Sequence, residues 1–218
     1  NIKLPGIKGK VEIYFDERLI PHVFADNDND LYFAQGYLHA KFRLWQMEFQ
    51  TMAAAGRISE FLGNDPRFIN YDRETRRLGM VYGAENALRS MESDSVSKSG
   101  CDAYTAGVNA YIESLSEATL PIEYKLLGYK PEKWSNFKIC LFLKQMSRTL
   151  AGPYYADDLP LTNEKSFIPF SEFNVLYPQI NDSLVPIIPK GTVFAPASVI
   201  PVKPATADSL YFGKKDTA

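Results

Sequence analysis

The chain has 218 residues, of which 45% are hydrophobic and 23% are charged, a composition typical of an ordinary globular protein. Its net charge of -2 and its scattered basic residues argue against a nucleic-acid partner, which requires a concentrated basic face. Two cysteines and two histidines are too few for a disulfide scaffold or a zinc site, and no apolar run reaches the length of a membrane span.

The N-terminal part predicts a β-hairpin. Residues 11–16 alternate between apolar and polar side chains, which is the period of a half-buried strand. Residues 21–25 form a second short apolar segment. We expect the two segments to pair, although neither Asn-Gly nor Asp-Gly marks the turn between them. The acids and amides of residues 26–30 that follow are suited to capping a helix.

A long amphipathic helix is predicted from about residue 30 to residue 62. Its apolar residues recur every three or four positions, so one stripe should face the core. Gly36 and Gly56 are costly inside a helix, and each predicts either close helix packing or a break. The stripe consists of Leu31, Ala34, Leu38, Phe42, Trp45, Phe49, Met52 and Ile58.

Further helices alternate with connections over the middle of the chain. Helices are predicted at residues 73–91, with Gly79 and Gly83 as candidate interruptions, and at residues 102–115 and 134–150. Loops or polar connections are predicted at residues 64–71, 93–100 and 120–131. The chain changes character after residue 167, because seven of its 14 prolines fall between residues 167 and 204. Such a segment cannot form a central strand or helix, so we expect extended chain lying over another surface.

The sequence contains no complete active site of a familiar kind. A serine-histidine-aspartate triad has no G-x-S-x-G elbow to support it, and neither histidine occupies a place typical of a catalytic base. Glycine-rich nucleotide-binding patterns are also missing. The residues alone therefore indicate an α+β domain without a visible mechanism.

Three ordered motifs nevertheless resemble the penicillin acylase family. Residues 19–25 read Leu-Ile-Pro-His-Val-Phe-Ala, close to the family pattern G-[VM]-P-H-[IV]-x-A, with Leu19 in place of the usual glycine. The second motif, D-L-x-x-A-x-G-Y-x-x-A-x-x-R-L-[FW]-Q-M-[DE], is matched from Asp30 to Glu48, and the third, G-x-[LIV]-[SA]-E-x-L-G, from Gly56 to Gly63. The similarity extends over roughly residues 10 to 152.

The resemblance implies an α+β fold that is one part of a larger enzyme. It implies the α-chain part of an αββα N-terminal-nucleophile (Ntn) hydrolase sandwich, mostly helical, with an N-terminal hairpin and an extended proline-rich C-terminal segment. Residues 1–218 would form a single α-subunit domain completed by a β chain, with residues 167–218 packing on that partner. Both chains would come from one precursor by autoproteolysis, in the periplasm or outside the cell.

The resemblance also implies which residues carry function. The nucleophile would be the N-terminal serine of the β chain, with its own α-amino group as general base, so this chain would contain no catalytic residue. Met146 and Leu150 would line the acyl pocket, with Arg148 and Thr149 beside them. Asp157 or Asp158 would supply one ligand of a structural calcium ion between the chains.

Several alternatives stay open from the sequence. The expected reaction is cleavage of an amide between a hydrophobic acyl group and an amine, as in a penicillin amidase. An N-acyl homoserine lactone acylase and a non-catalytic relative that binds acylated ligands are the alternatives. A further alternative is that the chain acts alone. The apolar, proline-interrupted residues 185–204 argue against it, because they would leave an exposed apolar patch. Cys101 and Cys140 are compatible with a disulfide or with two buried thiols.

Overall fold

The computed structural model describes residues 4–151, 158–177, 188, 191–193 and 214–215. The chain divides into two compact units, one of residues 1–149 with 203–218 and one of residues 150–202. Completion of residues 1–218 into one domain by a β chain stays a prediction.

The N-terminal hairpin is present as predicted. Strand β1 (Val11–Phe15) pairs antiparallel with β2 (Pro21–Ala25). The carboxylate of Asp16 closes the turn without an Asn-Gly dipeptide, because it accepts a hydrogen bond from the backbone N–H of Ile20 at 2.8 Å. A two-residue strand β3 (Lys214–Lys215) pairs antiparallel with the other edge of β1, which gives the sheet the order β2-β1-β3.

The long predicted helix is present but broken at Gly56. Helix α1 (Asp28–Ala55) begins after Asn27, whose side chain accepts from the backbone N–H of Asp30 at 3.0 Å. It ends at Gly56, which has a left-handed backbone with φ 64. A separate short helix α2 (Ile58–Leu62) follows. Of the two alternatives at Gly56, the structure therefore has the break.

Helix α1 contains a kink, and part of the predicted apolar stripe on it is exposed. Arg43 has non-helical dihedral angles, with φ -143 and ψ 19. Leu38 before the kink and Leu44 and Met52 after it are buried, whereas Phe42 is 47% exposed. The prediction that the whole stripe lies in the core is therefore wrong at Phe42 and at Leu31, which is 36% exposed, because both lie at the edge of the face that carries the buried residues.

Seven further helices follow in the described part of the chain. They are α3 (Pro66–Arg77), α4 (Met80–Ser93), α5 (Ser95–Ser114), α6 (Ile122–Leu127), α7 (Asn136–Ala151), α8 (Asp158–Phe167) and α9 (Phe170–Leu176).

Three segments predicted as connections are helical, and one of them, residues 120–131, contains the whole of α6. The predicted loop at residues 64–71 holds the start of α3, because Asp65 caps the backbone N–H of Arg67 at 2.8 Å and a proline occupies the first helical position. The predicted connection at residues 93–100 holds the start of α5, where Asp94 accepts from the backbone N–H of Ser97 at 2.8 Å.

The expected extended segment from residue 167 onward begins with a helix instead. Residues 170–176 form α9, which starts after Pro169 and buries Phe173. Proline is compatible with a helix start because its missing N–H would have no intrahelical partner there. Most of the remaining proline-rich segment lies outside the described residues.

Helices α1 and α5 pack closely through two glycines. A Cβ atom at Gly36 would lie 2.1 Å from the carbonyl oxygen of Tyr104, and one at Gly107 would lie 1.9 Å from that of Phe33. Close packing is therefore the reason for Gly36. Buried residues form two clusters. The first consists of Ala40, Leu44, Met47, Val108, Tyr124 and Trp134, and the second of Ala54, Ala55, Ala84, Cys140 and Leu141.

Among the described residues, no helix has both the length and the apolar content needed to cross a membrane.

Candidate functional site

Helix α7 presents an exposed apolar row at the positions predicted to line a pocket. Met146 and Leu150 are one turn apart and so share a face of the helix, with 46% and 76% of their surfaces exposed. Phe142 lies one turn before Met146 and is also exposed. The row Phe142–Met146–Leu150 can therefore contact a ligand or another chain.

Arg148 does not belong to this row. Its Nη1 donates a hydrogen bond to Oγ1 of Thr75 in α3 at 3.0 Å. Its guanidinium also lies over the ring of Tyr71 in the same helix, 5.4 Å from the ring centre. Because residues two positions apart point to different sides of a helix, Arg148 and Met146 diverge. The structure thus places Arg148 against α3.

Thr149 forms a contact within its own helix. Its hydroxyl donates to the backbone carbonyl of Gln145 at 3.0 Å, a bond that exposed threonines often form inside helices. Of the four predicted pocket residues, the structure brings Met146 and Leu150 together on one face with Thr149 beside them, and it directs Arg148 toward α3.

The buried carboxylate of Glu48 contacts the start of α7. In the sequence, this residue stands out only as the last position of the second family motif. Glu48 of α1 accepts hydrogen bonds from the hydroxyl of Tyr124 at 2.5 Å and from the backbone N–H of Glu132 at 2.8 Å. Nζ of Lys138 in α7 lies 3.4 Å from the same carboxylate. Burial and the nearby Glu48 raise the pKa of Tyr124 well above its usual value, so its hydroxyl remains a donor.

The ion-pair network extends from Lys138 to Arg57, which lies between α1 and α2. Lys138 pairs with Glu132 at 2.9 Å, and Glu132 pairs with Arg57 at 2.8 Å. Arg57 also pairs with Glu60 of α2 at 2.8 Å. The hydrogen bond from Arg57, followed by that from Lys138, lowers the pKa of Glu132 to about 2. The sequence signal for this network is an acid, Glu48, between the apolar residues Met47 and Phe49 of the long predicted helix.

A cleft of about 760 Å³ opens beside this network. Its charged lining includes Arg57, Glu132 and Lys138, which pair with one another. Its apolar lining includes Phe137 and Leu141 of α7. Because each of these three groups is already ion-paired, none of them is suited to act as a general base.

Both histidines have contacts within the scaffold. Nε2 of His22 lies 3.5 Å from the carboxylate of Asp16 at the hairpin, and Nδ1 of His39 lies 3.0 Å from the hydroxyl of Tyr104. The two cysteines, Cys101 and Cys140, are free thiols in the structure. Burial raises the pKa of both thiols, which makes them poor nucleophiles.

The two expected calcium ligands lie at or just before the start of α8. Asp157 lies outside the described residues, and Asp158 begins α8. Among the described residues, no group of three or more His, Cys, Asp or Glu side chains could hold a metal ion. Since calcium takes about six to eight oxygen ligands, the described residues do not form such a site by themselves.

Comparison with known proteins identifies the class. The family model of penicillin amidase matches residues 10–183. The chain therefore belongs to the penicillin amidase family. Its fold matches a chain of the thermostable penicillin G acylase from Alcaligenes faecalis with a TM-score of 0.63 and 26% identity, covering 87% of this chain and 100% of that one. The described architecture, mostly helical with a small hairpin, is the α-subunit part of an Ntn-hydrolase fold.

Individual relatives are of two kinds. Penicillin acylase 2 proenzyme from Pseudomonas sp. (strain SE83) is 34% identical over 155 residues, which is 71% of this chain and 19% of the relative. Penicillin G acylase from Escherichia coli is 27% identical over 61% of this chain and 16% of its own length. Acyl-homoserine lactone acylase QuiP from Pseudomonas syringae pv. syringae (strain B728a) is 32% identical over 60% of this chain and 15% of its own. The chain thus spans about a fifth or less of these relatives.

Proposed function

We propose that this chain is the α subunit of a heterodimeric amidohydrolase that cleaves the amide bond between a hydrophobic acyl group and an amine. The observation that carries the proposal is the family match over residues 10–183, supported by a fold that covers the whole of a penicillin G acylase chain. The small share of the relatives' length indicates that most of the catalytic protein lies beyond these residues.

The catalytic step would take place on the partner chain. The hydroxyl of an N-terminal serine attacks the acyl carbonyl, and the α-amino group of the same residue accepts the hydroxyl proton. An α-amino group is suited to this because its pKa is close to neutrality, at about 7.7 to 8.0 in model peptides. The amine leaves with a proton, and water then releases the acyl group from the serine. Such a mechanism requires no histidine, which fits the structural contacts of His22 and His39.

This chain would contribute the wall that receives the acyl group. Met146 and Leu150 are flexible, aliphatic and exposed on one face of α7, which suits contact with a hydrophobic acyl chain. Their shape allows both aromatic and aliphatic groups. Penicillins and N-acyl homoserine lactones are therefore the two substrate classes, and the similarity to relatives of both kinds supports testing them together.

The assembled enzyme would be periplasmic or secreted, with the two chains cut from one precursor. We also propose a calcium ion between the chains, with Asp157 or Asp158 as one ligand and the β chain supplying the others. Metal analysis of the purified complex after dialysis against a chelator tests this, and a calcium content of zero before dialysis would contradict it.

The central experiment is purification of the chain from its native source with whatever remains bound. We expect a longer polypeptide in a 1:1 complex, with serine as its first residue. A serine-directed acylating reagent should label that serine and abolish hydrolysis. A partner beginning with a residue other than serine, threonine or cysteine would contradict the mechanism.

A substrate panel separates the candidate functions. Phenylacetyl amides, aliphatic acyl amides and acyl homoserine lactones should be compared by kcat/KM. Preference for the lactones would support the second candidate function, acyl-homoserine lactone acylase. Binding of acylated ligands without hydrolysis or labelling would instead support a non-catalytic relative.

A further inference from the structure

Arg148 connects the last turns of α7 to α3 through two different contacts. Its Nη1 donates to Thr75 over 3.0 Å, and its guanidinium plane lies over Tyr71. Tyr71 and Thr75 are four positions apart in α3, so they share one face of that helix. A planar group with one directional bond and one stacking contact has a defined position and orientation, which either contact alone would not give it.

The receiving side of this contact is rigid. Thr75 is fully buried at 0% exposure, so its hydroxyl cannot move to follow a displaced arginine. The connection between Arg148 and α3 is therefore a fixed one.

A second connection holds the beginning of the same helix. Lys138 is buried and pairs with Glu48 of α1 and with Glu132. Ten positions separate Lys138 from Arg148, which corresponds to about 15 Å along a helix. Met146 lies between these two anchors, about half a turn before Arg148. Its location relative to α1 and α3 thus depends on both anchors.

We propose that Arg148 is a positioning residue for acyl selection, which holds the last turns of α7 against α3 and so fixes where Met146 stands, without touching the acyl group itself. This inference rests on the proposed function, in which Met146 lines the acyl pocket. It differs from the role in direct substrate contact that the resemblance implied for Arg148.

Loss of this anchor has a specific physical consequence. The last four carbonyl groups of a helix lack intrahelical partners, and helix ends open at low cost in free energy. Met146 lies five positions before the end of α7 at Ala151. Without Arg148, these turns sample more conformations, and the pocket wall is less well defined. Binding of the best-fitting acyl group then weakens more than binding of the others.

The test uses the assembled enzyme with Arg148→Ala, Arg148→Lys, Thr75→Val and the double variant Arg148→Ala/Thr75→Val. Over a series of acyl chain lengths, we expect Arg148→Ala to raise KM for the preferred substrate by roughly five- to tenfold, the equivalent of one hydrogen bond. The change in kcat should be much smaller. The ratio of kcat/KM between the preferred acyl group and the other acyl groups should fall. Arg148→Lys should restore part of the preference, because it keeps a charged donor but not the planar stacking group.

The double variant shows whether the two residues act together. Since both single substitutions remove the same bond, the double variant should be no worse than Arg148→Ala. Additive effects would contradict the coupling. Arg73→Ala, an exposed arginine on the same helix α3, is the matched control and should keep the wild-type preference.

A second readout does not depend on activity. Hydrogen exchange of the backbone amides of residues 144–149 should be faster in Arg148→Ala than in the wild type. A lower melting temperature with unchanged exchange there and unchanged acyl preference would overturn the inference, because it would reduce Arg148 to a general stabilising contact. A wild-type complex that hydrolyses no acyl amide would contradict the proposed function, whereas the exchange measurement would still decide whether Arg148 orders α7.

Discussion

Glu48 and Lys138 form a charge pair inside the protein, with Nζ of Lys138 3.4 Å from the Glu48 carboxylate. The side chains are 1% and 10% exposed, so both charges are almost completely removed from water. A buried pair of this kind adds little stability over an apolar pair, but removal of one partner leaves the other charge uncompensated. The pair therefore makes the position of α7 depend on that of α1.

Substitution of Lys138 by methionine should destabilise the protein strongly. The change keeps much of the side-chain volume but leaves Glu48 without a counter-charge, which costs about 3 to 5 kcal/mol. Urea unfolding of the assembled enzyme measures the free energy of unfolding. The exposed Lys130→Met is the matched control, and a loss equal to that of the control would contradict the argument.

Protonation of Glu132 should lower the stability of the folded protein in acid. Its pKa is lowered from 4.5 to about 2 in the folded protein, first by the hydrogen bond from Arg57. The unfolded chain therefore binds more protons between these values, so the stabilisation is present above about pH 4.5 and is lost as the pH falls toward 2. Between about pH 6 and pH 2, the melting temperature of Glu132→Gln should fall less than that of the wild type. The exposed Glu117→Gln should retain the wild-type slope, and identical slopes in all three proteins would refute this prediction.

Alanine at Gly36 should disrupt the packing of α1 on α5. Its Cβ would lie 2.1 Å from the Tyr104 carbonyl oxygen, which belongs to the backbone and cannot yield without movement of the helix. We expect a loss of about 3 kcal/mol or more in thermal or urea unfolding. Gly83→Ala in α4 is the matched control, because its Cβ would meet only the flexible side chain of Lys144 at 3.4 Å. In that control, the free energy of unfolding should rise by about 0.5 to 1 kcal/mol, because alanine has a higher helix propensity than glycine.

Glycine at position 19 should stabilise the hairpin. Leu19 has a left-handed backbone with φ 61, and its side chain is 75% exposed, so little packing would be lost. Relief of the left-handed strain outweighs the entropy that glycine adds to the unfolded chain, with an expected net gain of about 0.5 to 1 kcal/mol. The control Leu19→Ala keeps the Cβ atom and should bring no gain. Equal melting temperatures for the glycine and alanine variants would show that the turn is unstrained.

Truncation of Met146 should change acyl preference in the assembled enzyme. Removal of its terminal atoms widens the proposed pocket, so longer or bulkier acyl groups should gain relative to the preferred one, by about tenfold in the ratio of kcat/KM. The matched control is Val96→Ala, an exposed apolar residue on α5. An unchanged ratio would assign Met146 to packing alone.

Local signals in the sequence account for much of the fold. The hairpin, the cap at Asn27 and the possible break at Gly56 could all be predicted from short patterns of residues. The start of α3 could also have been predicted, because Asp65 followed by Pro66 is a strong helix-start signal. The start of α5 was harder, since its first turns are polar and exposed and have no apolar period.

The contacts that hold the candidate site could not be predicted in the same way. Arg148 and Thr75 are 73 positions apart, and Glu48 and Tyr124 are 76 apart. Periodicity indicates which face of a helix is buried but not which residue it meets. The kink at Arg43 is a further example, because neither glycine nor proline stands there to mark it.

The polar partners of Glu48 also constrain how the chain is made. They follow it by 76, 84 and 90 positions, so a ribosome completes α1 long before Tyr124, the Glu132 amide and Lys138 emerge. Until then, the Glu48 carboxylate stays in water. The core around α1 cannot form, because these long-range contacts require the intervening chain to close into a loop first. A nascent chain that stalls before Lys138 should therefore be far more sensitive to proteases than one that has passed it.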